Sequence, residues 1–271
     1  MFKNVALALI LGIGVCVWSG GASPAWAEDE TTEVFLTPRL WYSFVSTAHV
    51  YPRRGTSVDN STVPLYGGSI TVAPAIMRGT TFSLTALSGT GSGDFHGADT
   101  CCGYTDGNDR QRLDVDAVVQ FPIDATGAYW WSMGLRYIDT SSDARGTDQS
   151  SMPFRFITNQ EVFLHEIGLG GQTFLDASGS HRFFGGLTLV AGQKKIETRD
   201  TSFSGFSGTT FSRHPVAGID ATLGYAASLG TIATFYARYR LLVLSEMNQF
   251  ASPDMLDLVH GPEVNLSIKL N

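Results

Sequence analysis

The stretch RLDVDAVVQFPI (112–123) carries Arg112, Asp114, Asp116 and Gln120 on one parity and Leu113, Val115, Ala117, Val119 and Phe121 on the other. Successive side chains of an extended chain point to opposite faces, so this segment reads as a strand with one polar and one apolar surface. The same parity argument, run through the other extended segments, gathers Arg39, Arg112, Arg136, Lys194, Arg238, Arg240 and Lys269 with Asp114, Asp116, Glu166, Asp220 and Glu263 on a single inner face. The two signs nearly balance. Charges withdrawn from water are expected to pair, so the set reads first as a salt-bridged plug that fixes register. The second reading is the wall of a thin polar conduit for small solutes or ions, biased towards anions by its arginines.

Two further segments carry reactive or ligand-binding residue types. DTCCGYTDGNDR (99–110) contains the adjacent pair Cys101 and Cys102, a candidate loop disulfide. Their Cα atoms are too close for relaxed disulfide geometry, so a turn lock or an intermolecular bridge is favoured over redox catalysis. Asp99, Asp106, Asn108 and Asp109 in the same segment are oxygen donors of the kind calcium takes, but they lack EF-hand spacing and a terminal Glu, and an ordinary Asp-Gly turn is the better reading. TSFSGFSGTTFS (201–212) places Phe203, Phe206 and Phe211 in a Gly/Ser/Thr-rich loop. They either cap the mouth of the molecule, which is the favoured reading, or grip a ligand, lipopolysaccharide or a host surface.

Period-two alternation recurs near 35–46, 63–76, 79–90, 111–123, 128–140, 161–175, 181–197, 215–228, 231–245 and 259–270, and the sequence predicts about ten strands and no helix after the first residues. The connections alternate in length. MRGT, DATG, DASGSH and SLGT are tight turns, whereas 47–62, 91–110, 141–160, 198–214 and 246–258 read as long loops. One face of each strand is rich in aromatic and aliphatic side chains, as in Tyr129, Trp131, Met133, Leu135 and Tyr137, or Phe235, Tyr239, Leu241 and Val243. The other carries charges among small residues such as Gly67, Ser69, Thr71, Gly168, Gly170, Gly218 and Gly224, which suit a crowded lumen. Because hydrocarbon satisfies no backbone N–H or C=O group, an apolar outer face requires the sheet to close on itself. The fold expected is an all-β, closed antiparallel transmembrane β-barrel with short periplasmic turns and long extracellular loops. A soluble periplasmic sandwich or calycin-like barrel is the bland alternative.

The N-terminus agrees with an envelope destination. Lys3 precedes an apolar run from Val5 to Trp18, and AWA at 25–27 matches a signal-peptidase site, so 1–27 reads as a signal peptide cleaved near Ala27 and 28–271 as one barrel domain. A lipoprotein reading through Cys16 is disfavoured because Val15 is too large for the usual lipobox. The net charge of −7, with basic residues scattered, offers nothing to nucleic acid. No cofactor or resident metal is expected. The expected partners are outer-membrane lipids, lipopolysaccharide and the machinery that inserts barrels.

The hairpin LDVDAVVQFPIDATGAYWWSMGLRYID (113–139) and the closing GPEVNLSIKL (261–270) resemble bacterial outer-membrane barrels, and within them the Legionella major-outer-membrane-protein-like family of pore-formers. The chain departs from that family in being short and in ending with Leu270-Asn271 where many barrels end in an aromatic. The resemblance implies an outer-membrane, pore-forming protein and carries over no catalytic residue. Ten-stranded proteases of the omptin type hold Asp and His at the loop-side rim, where Asp139, Asp143, His165, Glu197 and His214 of this chain could fall. No spacing enforces a dyad among them and the omptin motifs are not visible, so an enzyme is the least favoured class. The three functions weighed are a structural or narrow passive-pore barrel, a surface-binding or adhesin barrel working through its loops, and a hydrolase.

Overall fold

The computed structural model describes residues 31–51, 55–99, 102–147, 153–201, 207–247 and 255–270. The segment read as a signal peptide, together with Cys101, Phe203 and Phe206, lies outside them. Ten strands follow in chain order: β1 (Glu33–Tyr51), β2 (Gly55–Ala73), β3 (Thr81–Asp99), β4 (Cys102–Pro122), β5 (Tyr129–Thr147), β6 (Pro153–Phe174), β7 (His181–Thr201), β8 (Ser207–Leu229), β9 (Ala233–Glu246) and β10 (Met255–Lys269). Each pairs antiparallel with its chain neighbours, and β1 pairs with β10, so the sheet closes without a free edge.

The turns at one end have legible chemistry. Asp124-Ala125-Thr126-Gly127 and Asp176-Ala177-Ser178-Gly179 are two copies of one device. In each the Asp carboxylate accepts from the backbone N–H five residues on, Tyr129 at 2.8 Å and His181 at 2.8 Å. The glycine takes the left-handed conformation that a side chain disfavours, with φ of 66° at Gly127 and 69° at Gly179. At the opposite end the segments read as long loops are mostly strand. The pairing of β1 with β2 runs out to Tyr51↔Gly55, and that of β7 with β8 to Thr201↔Ser207. Gly, Ser and Asn suggested turns there, but a barrel wall continuing above its apolar belt meets water on its outer side and tolerates such residues in register. The Asp-Gly pair at 106–107 likewise lies within β4, at a register irregularity between Thr105 and Gly107, and is not a hairpin turn.

The outer surface carries an apolar belt that includes Leu36, Leu40, Ile70, Met133, Leu135, Ile167, Leu187, Leu189 and Leu223, all exposed. Tyr129, Phe183 and Phe235 mark its edge near the turns, and Tyr42, Tyr66 and Phe163 mark the other edge, as aromatic girdles do at the two interfaces of a bilayer. Leu187→Arg, on this belt six residues from the start of β7, is expected to destabilise the folded barrel by about 2–4 kcal/mol, the cost of a cation near the midplane. Urea titration of protein folded into vesicles, scored by heat-modifiable gel mobility, measures it.

Candidate functional site

The charged residues that parity assigned inward lie on the inner face of the wall, and most of them form a tier of interlocked ion pairs across the lumen. Arg136 on β5 is its hub and is fully buried. Its Nε and Nη2 donate to the two oxygens of Asp114 at 2.8 and 2.5 Å, and its Nη1 reaches across to Asp220 on β8 at 2.6 Å. Arg240 forks onto the same Asp220 at 3.0 and 2.5 Å. Arg112 approaches Asp114 at 3.4 Å, Arg238 holds Glu263 through two bonds of 2.8 and 2.7 Å, and Arg39 stands 3.8 Å from Glu263. Lys269 pairs with Glu33 at the turn end. Planar guanidinium forks facing carboxylates give directional bonds, so the tier ties strands that are not sheet neighbours.

A second component was not legible as lumen. Trp41, Val45, Val63, Leu65, Leu87, Ile138, Leu164, Val190, Val216, Leu242, Leu244 and Val259 point inward and pack into an apolar collar, to which, among the described residues, every strand except β4 contributes. Arg240 lies over the Trp41 ring at 5.0 Å and joins collar to ionic tier. Beyond the collar a further charged layer sits inside the barrel. Lys194 donates to Asp257 at 2.6 Å and lies 3.4 Å from Glu246, while Asp59 accepts from Arg110 at 2.5 Å and Asn108 at 2.8 Å. Most of these residues fall in the segments read as loops. The signal that could have found them is the unbroken alternation of Asp59, Ser61, Val63 and Leu65, and the run Leu241-Leu242-Val243-Leu244, which is apolar on both faces.

The rim residues do not converge. Asp139, Asp143, His165 and Glu197 fall on the outward parity of their strands, and His165 packs edge-on against Phe163 with ring centroids 5.4 Å apart. His214 alone among the five shares the inward parity of β8, where its Nδ1 is 3.7 Å from Glu246. That carboxylate already faces Lys194, so it is an ion-pair partner and not a free base. Asp143 accepts from Arg145 and Arg155 on the outer surface, at 2.6 and 2.7 Å, and these two guanidiniums hold its carboxyl well below the usual range, Arg155 contributing most. Phe211 is 76% exposed on the outward face of β8, opposite Glu197, so it does not cap the mouth. Asn108 faces inward while Asp109 faces outward, and the two do not converge on a cation. The side chains of Asp99, Cys102 and Asp106, and with them the disulfide, lie outside what the structure describes.

No protein-family model matches the sequence, and no curated protein matches it. Solved structures do match in fold. The outer membrane protease OmpT from Escherichia coli superposes with a TM-score of 0.58 at 10% identity, over 90% of this chain and 100% of that one. The translocator domain of the autotransporter NalP from Neisseria meningitidis gives 0.47 at 11% identity, over 98% and 97%. The ten-stranded antiparallel barrel with an outward apolar belt is thus an architecture of outer-membrane proteins, and at these identities the likeness is one of fold alone.

Proposed function

We propose that the protein is a closed outer-membrane barrel of structural type, which does not conduct solutes and acts through the surfaces that its wall carries outside the bilayer. The observation behind this reading is the filling of the lumen by an ionic tier and an apolar collar. A hydrated ion passing along the axis would have to part the Arg136–Asp114–Asp220 cluster and then cross a collar of close-packed Val, Leu and Trp side chains. Both layers oppose it, the first by leaving desolvated charges unpaired and the second by excluding water. On this reading the turn end is periplasmic and the extended end faces outside.

Strand length supports the second half of the proposal. A span needs about 9–11 tilted residues, whereas β6 has 22 and β8 has 23. The surplus raises a charged outer wall above the belt, where Lys195 pairs with Glu161 at 3.1 Å and Arg199 with Glu197 at 2.7 Å. Such a wall could meet lipopolysaccharide or a host surface, which is the form the surface-binding reading now takes. No catalytic role is proposed.

Planar-bilayer recording of the purified barrel tests the closed lumen. The expected result is no current above the lipid background. Discrete unitary conductance from correctly folded protein would overturn it and restore the pore that the family resemblance implies.

A further inference from the structure

We propose that the lumen on the turn side of the ionic tier is a binding site for a small zwitterion, a molecule carrying an ammonium and a carboxylate a few bonds apart, reached from the periplasm. The proposal rests on the closed-barrel reading, since in an open barrel the same space would be part of a channel. A cavity of about 220 Å³ runs from Gln120 and Trp130, beside the strand ends, inward to Asp116, Glu166 and Arg39. The hydroxyls of Ser132, Thr188 and Thr222 line its wall. Asp220, Arg238 and Arg240 of the ionic tier bound it on the far side.

The unmatched charges around this cavity define the ligand. Arg136, Arg238 and Arg240 each hold a carboxylate with at least one bond of 2.7 Å or less, so they and their partners are spoken for. Asp116 sits opposite Arg136 in register, yet the guanidinium turns to Asp114, and Asp116 Oδ1 is buried without a hydrogen-bond partner. Glu166 is 8% exposed, its Oε1 has no hydrogen bond, and the nearest guanidinium nitrogen is 3.9 Å away. Arg39 is the matching cation, with Nε unpartnered and only the 3.8 Å approach to Glu263. The cavity therefore has two carboxylates and one guanidinium short of partners. A lone anion would leave the Asp116 and Glu166 oxygens without a donor, and a lone cation would leave the Arg39 guanidinium without an acceptor. A zwitterion offers its ammonium to the carboxyl oxygens and its carboxylate to Arg39, and supplies the missing partner on both sides.

Two aromatic side chains, Trp130 and Phe184, line the same cavity. A Cβ on Gly170 would sit 2.5 Å from the Trp130 ring, and one on Gly224 would sit 2.6 Å from Phe184, so both aromatics lie where only glycine leaves room. An ammonium group gains more from a neighbouring aromatic ring than a neutral group does.

Isothermal titration calorimetry of the folded barrel in detergent decides the matter, with L-alanine as the zwitterionic probe and ethylammonium and acetate as single-charge probes. The expected result is one saturable site for L-alanine, with both single-charge probes weaker by about tenfold or more, the loss that follows removal of a charge-assisted bond. Glu166→Gln and Asp116→Asn, which keep side-chain volume, are each expected to weaken L-alanine by a similar factor. Should either fail to fold, Ser132→Leu fills the cavity from its wall without removing a charge and is expected to abolish binding. Absence of saturable L-alanine binding overturns the proposal, and so does equal binding of ethylammonium or acetate, or L-alanine binding indifferent to these substitutions. Conductance is read separately, so failure of the site and failure of the closed lumen are told apart.

Discussion

Arg136→Met is expected to destabilise the folded barrel by about 3–5 kcal/mol, the cost of stripping the cation from a buried ion cluster. The guanidinium donates two bonds to Asp114 and one to Asp220, and Met fills much the same volume while supplying no donor. Asp114 would keep only the 3.4 Å contact with Arg112, and Asp220 would keep Arg240. The loss comes from carboxylates left desolvated, not from a hole in the packing. Removing the negative partner as well should therefore recover part of it, and Arg136→Met with Asp114→Leu is expected to be more stable than Arg136→Met alone. Urea midpoints of both variants in vesicles, at fixed pH and salt, read the difference. A double variant no more stable than the single one would show that Arg136 acts chiefly by filling space.

Trp41→Ala is expected to cost about 3–5 kcal/mol, the range for truncating a fully buried large aromatic. Trp41 is the largest fully buried side chain of the collar, and the Arg240 guanidinium rests over its ring at 5.0 Å. Truncation leaves a cavity bordered by apolar side chains on one side and withdraws the ring face from a buried cation on the other. The variant is nevertheless expected to stay electrically silent, because Arg136, Asp114 and Asp220 still cross the lumen one layer below. Thermal unfolding and bilayer recording on the same preparation separate these outcomes. Channels opened by this one substitution would place the seal in the collar alone.

The two parts of the interior differed in how far they could be read in advance. Asp114, Asp116, Arg136 and Arg238 stand out because each interrupts an apolar alternation, and parity alone assigns their face. Which carboxylate each guanidinium takes was not readable. Arg136 lies opposite Asp116 in the ladder, but pairs with Asp114 two residues along and with Asp220 across the barrel. Arg238 takes Glu263 and none of the aspartates. The collar is a different case. Val63, Leu87, Ile138 and Leu164 share the parity of the charges, so a rule that assigns apolar residues to lipid and polar ones to the lumen misplaces them. The rule fails because a narrow barrel excludes water over part of its length, and there the inner face is a core like any other.

Local composition and spacing by themselves determined the stretch of each strand that crosses the apolar belt, the tight Asp-containing turns and the side of the wall on which each inward charge lies, since these follow from period-two geometry and from the demand that hydrocarbon leave no backbone group unpaired. Closure of β1 on β10 decided what lies across the lumen from what, and with it the hub at Arg136, the apolar collar and the three side chains with unpartnered atoms around the cavity. Contacts between strands far apart in the chain depend on barrel diameter and stagger, which are properties of the closed sheet as a whole and of no single segment.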